Sequence, residues 1–172
     1  WTSNGWTGDA LKLTNGANIE IGFKPFSSDA TSTGATYEME LMCSNVTDRD
    51  GIILDCMADG VGFQMTTQEA KIRTTAGTEV STKFAADMNY KIAFVVSGKG
   101  GNRLLQLYVN GILSSAIRYA ATDSMIQQTP ADIRVISDDA DVELSNLRIY
   151  NRALNDDEEL SNYIVDRKTS DE

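Results

Sequence analysis

The sequence LLQLYVNGILSSAIRYA, at Leu104–Ala120, is the stretch that decides the fold. Asn110-Gly111 lies between two β-rich runs, and this dipeptide readily adopts the two positive φ angles of a type I′ hairpin turn. Before the turn, apolar residues alternate with Gln106 and Tyr108. The stretch therefore predicts a β-hairpin that turns one face toward an apolar core.

A second stretch, LRIYNRALNDDEELSNYI at Leu147–Ile164, joins an alternating strand to an acidic helix. Asn155 is a good N-cap, and Glu158 three residues later can reach back to it as in a capping box. The acidic residues of the first turn lie at the positive end of the helix dipole, where they are favourable. We therefore expect one helix, mainly at Asp156–Val165. The side that packs is predicted to consist of Leu160, Tyr163 and Ile164.

Short strands separated by turn signals recur along the rest of the chain, which is typical of an antiparallel sandwich. Tyr37–Cys43 alternates cleanly between apolar and acidic residues. Asn89–Ser97 is apolar on both faces in its middle, which predicts a central strand covered on both sides. We expect about a dozen strands in a single domain over residues 1–172. The predicted fold is all-β: a two-sheet antiparallel β-sandwich with a short C-terminal helix.

The composition excludes several classes of partner. With 172 residues and 41% apolar content, the chain is large enough for one substantial core. The formal charge is −10, from 25 acidic and 15 basic residues, which disfavours nucleic acid. No run approaches the roughly 18 apolar residues of a membrane span, so we expect no membrane insertion. The start at Trp1, without a Met or a signal peptide, predicts either a processed chain or an excised module of a larger protein.

The two cysteines flank a predicted hairpin. Cys43 and Cys56 lie about symmetrically around the turn Asp48–Gly51, which would place them close together on adjacent strands. Directly opposed strand positions strain a disulfide, so we expect two buried, reduced thiols, with a disulfide as the alternative. The chain contains no histidine, which excludes Ser-His-Asp and Cys-His catalysis and His-ligated zinc.

The run YVNG at Tyr108–Gly111, followed by LRIYNRALNDDEELSNY from Leu147, closely resembles the C-terminal half of laminin-G-like, concanavalin A-like jelly-roll domains. It is most similar to the versions embedded in bacterial surface proteins and phage structural proteins. The resemblance extends from about Gly8 to Arg167. It implies a laminin-G-like jelly-roll topology and an extracellular or virion-surface location. Such domains host unrelated activities, so function needs a separate argument.

The resemblance raises a glycosidase as one alternative, because the same superfamily includes glucanases. Glycosidases need two carboxylates roughly 5–10 Å apart. Glu38 and Glu40 are two positions apart on a strand and therefore point to one face. Glucanases of this fold carry an E-x-D-x-x-E motif, whereas the run here is E-M-E-L-M-C, with Cys43 at the last acidic position. We therefore interpret the two glutamates as the exposed acidic face of a strand, with a glycosidase as the weaker alternative.

Calcium is the metal that the chain can support. The resembling domains often hold Ca²⁺ with oxygen ligands in loops at one edge of the sandwich. An acidic turn offers the candidate ligands Asp138, Asp139 and Asp141. It does not match a complete ligand pattern such as the EF-hand loop, and a solvated turn is the alternative. We expect no other cofactor.

Glycan recognition calls for exposed aromatic rings and planar polar side chains. If Leu105, Leu107 and Val109 point to the core, Gln106 and Tyr108 lie on the opposite face. Arg118 on the next strand can join them, and Trp6 can stack on a sugar ring. The candidate ligand-binding residues are therefore Gln106, Tyr108, Arg118 and Trp6. The alternative is that the aromatic residues belong to the core.

These observations predict a non-catalytic binding or adhesion module that recognises cell-surface carbohydrate. We expect it to be part of a larger extracellular or phage virion protein and to contact other domains or subunits of that assembly. The alternative from another class is a purely structural virion or surface-protein domain without a glycan ligand.

Overall fold

A computed structural model describes residues 5–7 and 10–170. Within these ranges it contains thirteen strands and two helices. The strands are β1 (Gly5–Thr7), β2 (Ala10–Leu13), β3 (Asn18–Ile21), β4 (Ala35–Ser44), β5 (Ile52–Ala58), β6 (Val61–Thr66), β7 (Glu69–Arg73), β8 (Glu79–Lys83), β9 (Tyr90–Val96), β10 (Leu104–Val109), β11 (Ile112–Arg118), β12 (Ile133–Ile136) and β13 (Asp141–Tyr150). The helices are α1 (Ala30–Thr33) and α2 (Asp156–Ser170).

The strands form two antiparallel sheets. The seven-stranded sheet has the order β1-β2-β13-β4-β9-β10-β11, and the six-stranded sheet has the order β3-β12-β5-β6-β7-β8. Neighbouring strands in both sheets pair in the antiparallel sense. The predicted all-β, two-sheet sandwich with a C-terminal helix is confirmed. Neither helix of the described residues has the length and apolar character needed to cross a membrane.

The predicted β10–β11 hairpin is also confirmed. Asn110 and Gly111 have φ angles of 52° and 80°, as a type I′ turn requires. The turn lies directly on α2, because a side chain at Gly111 would come within 2.8 Å of the Tyr163 Cβ. Glycine is therefore required here by both the backbone angle and the close approach of the helix.

One apolar core fills the space between the sheets. Phe63 of the six-stranded sheet stacks on Phe94 of the seven-stranded sheet, with ring centroids 4.6 Å apart. Phe26 contacts Phe63 edge to face at 5.7 Å. All three rings are fully buried. Full burial of a side chain of this size stabilises the fold by roughly 1.5–3 kcal/mol.

Strand β9 is covered on both faces, as its uninterrupted apolar run predicts. Ile92, Phe94 and Val96 belong to the core between the sheets. Ala93 and Val95 belong to a second, smaller apolar cluster on the outer face of the seven-stranded sheet. The outer face is therefore covered as well, and the cover is the segment around α2.

The predicted hairpin around Asp48–Gly51 is wrong. Strand β4, which carries Cys43, lies in the seven-stranded sheet, whereas β5, which carries Cys56, lies in the six-stranded sheet. The connection crosses from one sheet to the other and does not turn back along the same sheet. Both thiols are free and buried, and burial raises the pKa of the Cys56 thiol to about 12.

Helix α2 begins as predicted but packs differently. The Asn155 Oδ1 accepts from the Glu158 backbone N–H at 2.9 Å, and the Glu158 Oε1 accepts from the Asn155 N–H at 3.2 Å. This reciprocal pair confirms the capping box. The predicted packing side is wrong for two of its three residues: Leu160 and Ile164 are exposed. Charged residues of the helix face the sheet instead.

Candidate functional site

A groove of about 830 Å³ lies where the β9–β10 loop meets the segment before α2. Its walls come from the end of α1, from that loop, from β10 and from residues 153–157. Most of the side chains that line it are polar. They are the hydroxyls of Ser32, Thr33, Ser97 and Tyr108, the amides of Asn102, Gln106 and Asn155, and the carboxyl groups of Asp156 and Asp157.

Asp29 fixes the first wall, at α1. Its Oδ1 accepts hydrogen bonds from the Thr31 and Met125 backbone N–H groups, each at 3.0 Å. Its Oδ2 lies 3.2 Å from the Lys99 Nζ. Burial alone would raise the pKa of Asp29, but these hydrogen bonds outweigh it and hold the pKa below the ordinary value. Asp29 therefore holds α1 to the β9–β10 loop as an ionised carboxylate.

Glycines shape the floor of the groove. A Cβ at Gly98 would lie 2.9 Å from the Thr33 carbonyl carbon, so the loop backbone approaches α1 directly. Gly100 is different, because a Cβ there would meet nothing within 4 Å. The loop is thus closely packed at Gly98 and exposed at Gly100, which lines the groove.

Thr36 anchors the opposite wall. Its Oγ1 donates to the Arg152 carbonyl at 2.9 Å and accepts from the Leu154 N–H at 2.9 Å. These bonds fix the segment before α2 on strand β4. The Tyr108 hydroxyl donates to the Asp156 carboxylate, which ties the start of the helix to β10. The walls of the groove are therefore held by side-chain hydrogen bonds and not by loop packing alone.

Two of the four candidate ligand-binding residues line this groove, and a third contacts the backbone of a lining residue. Gln106 and Tyr108 line it, and the exposed Arg118 donates from Nη1 to the Asn102 carbonyl at 3.4 Å. The Tyr108 ring is on the outer face as expected but is only 1% exposed, because the segment around α2 covers it. Burial, followed by the Asp156 carboxylate, raises the pKa of Tyr108. Tyr108 therefore offers its polar end to the groove and not an open ring face.

Trp6 lies elsewhere. Its backbone belongs to β1, at the opposite edge of the seven-stranded sheet from β10 and β11. Five strand spacings separate β1 from β10, or about 24 Å. The side chain of Trp6 lies outside the described residues, so sugar stacking by Trp6 stays a prediction.

The acidic turn at Asp138–Asp141 does not gather its carboxylates. A Cβ at Gly51 would lie 2.3 Å from the Asp139 Cβ, so this aspartate packs against the loop that crosses between the sheets. The Asp141 Oδ2 accepts from the Asn45 Nδ2 at 2.7 Å. Among residues 5–7 and 10–170, no three His, Cys, Asp or Glu side chains form a group that could hold a metal ion. Calcium binding by Asp138, Asp139 and Asp141 stays a prediction.

Glu38 and Glu40 are not an exposed acidic face, and that interpretation is wrong. Their exposed fractions are 1% and 6%. Glu38 lies 3.3 Å from the Lys91 Nζ and accepts from Asn162 of α2 at 3.1 Å, while Glu40 accepts from Asn146 at 3.0 Å. The alternation is confirmed, but the face is covered: α2 lies over Glu38, and Asn146 of β13 binds Glu40. In this arrangement neither carboxylate is accessible to a glycosidic bond.

The underside of α2 forms a charged cluster with the sheet. We define the α2 cluster as Glu38 of β4, Lys91 of β9, Arg148 of β13, and Glu159 and Asp166 of α2. Lys91 lies 3.2 Å from the Asp166 carboxylate, and Arg148 binds the same carboxylate through both terminal nitrogens at 3.0 and 2.5 Å. Although burial would raise the pKa of Asp166, these bonds keep the pKa below its ordinary value.

Glu159 is the exception in the α2 cluster. It is fully buried, and neither carboxyl oxygen accepts a hydrogen bond from any described residue. Burial in the first place, and then the adjacent Glu38 carboxylate, raise the pKa of Glu159 to about 9. The group is therefore protonated at neutral pH and can donate its proton toward Glu38.

Sequence reasoning missed most of the groove. Asn102 ends the Gly-rich run Gly98–Asn102, whose composition indicates only a flexible loop. Asp156 and Asp157 are already accounted for by the helix dipole. Ser32 and Thr33 belong to the Ser/Thr/Asp-rich stretch Ser27–Gly34, whose composition predicts a loop, whereas the structure contains α1 there. The only sequence signal for the groove is strand alternation, which places Gln106 and Tyr108 on the outer face of the sheet. The other walls are formed by segments that are distant in the sequence.

Solved structures with the same fold include binding domains of botulinum neurotoxins. The serotype D binding domain has a TM-score of 0.70 and 10% identity over 91% of this chain and 42% of its own. The serotype G binding domain has a TM-score of 0.65 and 15% identity over the same shares. A serotype D ligand-binding domain in complex with N-acetylneuraminic acid has a TM-score of 0.67 and 12% identity, over 95% of this chain and 44% of its own. The chain thus spans less than half of these domains.

No curated protein sequence matches the chain at a significant level. A family profile described as the "Concanavalin A-like lectin/glucanases superfamily" matches residues 13–158. This range covers most of the chain and runs from the end of β2 to the first turn of α2. The chain belongs to the laminin-G-like branch of the concanavalin A-like lectin/glucanases superfamily.

Proposed function

We propose that this chain is a non-catalytic carbohydrate-binding domain and that the groove beside α2 is its ligand site. The observation that carries the proposal is the lining of the groove. Hydroxyl, amide and carboxyl groups converge on one concave surface and are held by hydrogen bonds to the sandwich. A saccharide presents many hydroxyls that each donate and accept, and this mixture of groups can satisfy both roles.

The positions of these groups are well defined. Gln106 is on a central part of β10, and Asn155 is fixed by its capping bonds to Glu158. Binding sites on regular elements are more precise than sites on free loops, and preorganised groups lose less entropy on binding. The groove therefore supports recognition, whereas the buried Glu38 and Glu40 do not support hydrolysis.

The structural neighbours support a carbohydrate as the class of ligand. One is a ligand-binding domain in complex with N-acetylneuraminic acid, and another is the binding domain of botulinum neurotoxin DC in complex with SialylT. Since identities are 12% and 11%, the choice of sugar does not transfer. We propose that the domain works within a larger extracellular or virion-surface protein, where it attaches that protein to cell-surface glycans.

A purely structural role is the second candidate, and one observation favours it. Helix α2 exposes Leu160, Ile164 and Val165, with Val165 exposed by 57%. An exposed apolar row of this kind can pack against another domain of a larger protein. Such packing would not require the groove, so the two roles can be separated by experiment.

A blocking variant tests the proposed ligand site. Gly100→Trp places a large ring at the open position of the groove, where a Cβ meets nothing within 4 Å. Gly22→Trp is the matched control, because Gly22 is equally open but lies beside β3 in the other sheet. On a printed glycan array, we expect the wild type and Gly22→Trp to bind the same glycans and Gly100→Trp to lose them at an unchanged melting temperature. Absence of binding by the wild type would overturn the proposal in favour of the structural role.

A further inference from the structure

We propose that the groove selects saccharides that carry no negative charge and rejects sialylated and other acidic glycans. This inference rests on the function proposed above and names the ligand class of the same site. It follows from the charge of the groove and from the placement of the basic residues around it.

The groove has a negative wall. Asp156 and Asp157 both line it, at the start of α2. The helix dipole places about half a positive charge at this end, which would favour an anion. Two carboxylates outweigh that partial charge by about four to one, so the net local charge is negative. An anionic ligand would have to approach this wall.

No basic residue lining the groove, among the residues that the structure describes, neutralises the charge of Asp156 and Asp157. Lysine and arginine are absent from the described residues that line it. Lys99, although it lies between two lining glycines, is paired with Asp29 at 3.2 Å. Arg152 binds Glu158 through both terminal nitrogens. A ligand carboxylate would therefore need to break an existing ion pair before it could recruit either of these cations.

Arg118 is the basic side chain best placed to contact a ligand, but its position limits that contact to the rim of the groove. Its Nη1 donates to the Asn102 carbonyl at 3.4 Å, which keeps the guanidinium at the rim. The side chain is exposed, so water screens its charge. Arg118 can contact the outer part of a ligand but does not neutralise Asp156 and Asp157.

Neutral saccharides fit the same wall well. Sugar hydroxyls donate to carboxylates in charge-assisted hydrogen bonds, which are stronger than neutral ones. The Tyr108 hydroxyl already uses Asp156 in this way, which shows that the carboxylate accepts a hydroxyl donor in this position. The −10 charge of the whole chain acts in the same direction by repelling acidic glycans at longer range. Like-charge repulsion and lost hydrogen bonds together lead us to expect a preference of about tenfold or more for the neutral ligand.

The test uses pairs of glycans that differ in one group. Each neutral oligosaccharide is printed beside its sialylated counterpart, and the best pair is then measured by titration calorimetry in solution. The double variant Asp156→Asn, Asp157→Asn removes two charges, keeps the shape and keeps one acceptor oxygen in each side chain. The matched control is Asp59→Asn, Glu79→Gln, at two exposed positions, one in the β5–β6 turn and one on β8. Melting temperatures verify that both variants fold.

We expect wild type and control to prefer the neutral member of each pair, and we expect the groove variant to shift the ratio by about tenfold or more toward the sialylated member. A wild-type preference for sialylated glycans, lost in Gly100→Trp, would overturn the charge selectivity and leave the proposed function standing. An unchanged ratio in the groove variant would also overturn it. Absence of binding to every glycan would overturn both proposals.

Discussion

The carboxyl group of Glu159 is fully buried against the Glu38 carboxylate, on the underside of α2. An ionised carboxylate in this place would have no hydrogen-bond donor among the described residues. The protonated form avoids the free-energy cost of burying an unpaired charge, and it can donate a hydrogen bond to Glu38. A single residue thus makes the attachment of α2 dependent on proton binding.

Replacing this residue by its neutral isostere should stabilise the protein. The pKa of Glu159 is about 9 in the folded protein against an ordinary 4.5. The folded state therefore binds the proton more tightly, and stability falls as pH rises from about 4.5 to about 9. Glu159→Gln has no proton to lose, so we expect it to equal wild type near pH 4 and to be more stable by several kcal/mol at pH 8, since each pH unit above 4.5 costs wild type about 1.4 kcal/mol.

Urea titrations at the two pH values measure this difference in the free energy of unfolding. Glu79→Gln, at an exposed position of β8, is the control for the loss of a carboxylate. If Glu159→Gln were no more stable than wild type at pH 8, Glu159 would be ionised and paired in solution.

Asp29 illustrates the opposite direction of pKa shift. The pKa of Asp29 in the folded protein lies below the ordinary 3.8. Its contribution to folding stability is therefore fully present above pH 3.8 and is lost as the pH falls toward the pKa of the folded state. Asp29→Ala removes the N-cap of α1 and the partner of Lys99, and we expect it to cost about 1–3 kcal/mol of stability.

Because α1 forms one wall of the groove, the same variant should also weaken glycan binding. Glu79→Ala, at an exposed position of β8 outside the groove, is the control. Calorimetric titration with the best glycan of the array would measure the affinity of each variant and of wild type. Wild-type affinity in a stable Asp29→Ala variant would contradict the role of Asp29 in positioning the wall.

At the scale of elements, α2 shows where sequence patterns succeed and where they stop. Its start follows from local chemistry, and the bonds between Asn155 and Glu158 form as predicted. Its packing side does not, because the surface below it carries Glu38, Lys91 and Arg148 instead of apolar residues. The partner of a helix face is set by tertiary structure, which periodicity within the helix does not contain.

The same limit explains the misassigned glutamates and cysteines. Period-2 alternation correctly places Glu38 and Glu40 on one face of β4, but only tertiary contacts, with α2 at Glu38 and with Asn146 at Glu40, decide whether that face is exposed. The near-symmetry of the two cysteines around a turn predicts a hairpin. Whether β4 and β5 share a sheet depends instead on which strands pair with β5, and these are β6 and β12.

Lys91 tests whether charge holds α2 to the sheet. It lies between Glu38 and Asp166 at 3.3 and 3.2 Å and is 4% exposed. Lys91→Met leaves both carboxylates buried with Arg148 as the remaining cation, and removing one partner of a buried ion pair typically costs about 3–5 kcal/mol. Relative to wild type, we expect hydrogen exchange in Lys91→Met to accelerate more in residues 156–170 than in β9. The reason is that the helix loses the group that joins it to the sheet.

Lys83→Met, at an exposed position of β8, controls for the loss of a lysine. Mass spectrometry of exchanged peptides distinguishes the outcomes. Unchanged protection of α2 alongside a destabilised β9 would mean that Lys91 supports the sheet and not the helix.

At the scale of the whole molecule, the groove depends on segments that are far apart in the sequence. Residues 32–33, 97–102, 106–108 and 153–157 meet at one end of the sandwich. The sequence predicts the strands and the outward phase of Gln106, because these depend on local alternation. It does not predict the meeting of four segments, because that depends on strand order within the seven-stranded sheet.

The two sheets should unfold as one unit, because a single apolar core joins them. Phe63 is fully buried and stacks on Phe94 across the interface between the sheets. Phe63→Ala should lower the free energy of unfolding by about 3–5 kcal/mol, from lost apolar burial and the cavity that remains. We expect far-ultraviolet and near-ultraviolet circular dichroism to report one coincident transition at a lower temperature, as cooperative unfolding of a shared core requires. Phe23→Ala, at a ring that is 42% exposed, should move the same transition far less. Two separated transitions in Phe63→Ala would show instead that each sheet keeps its structure without the stacked pair.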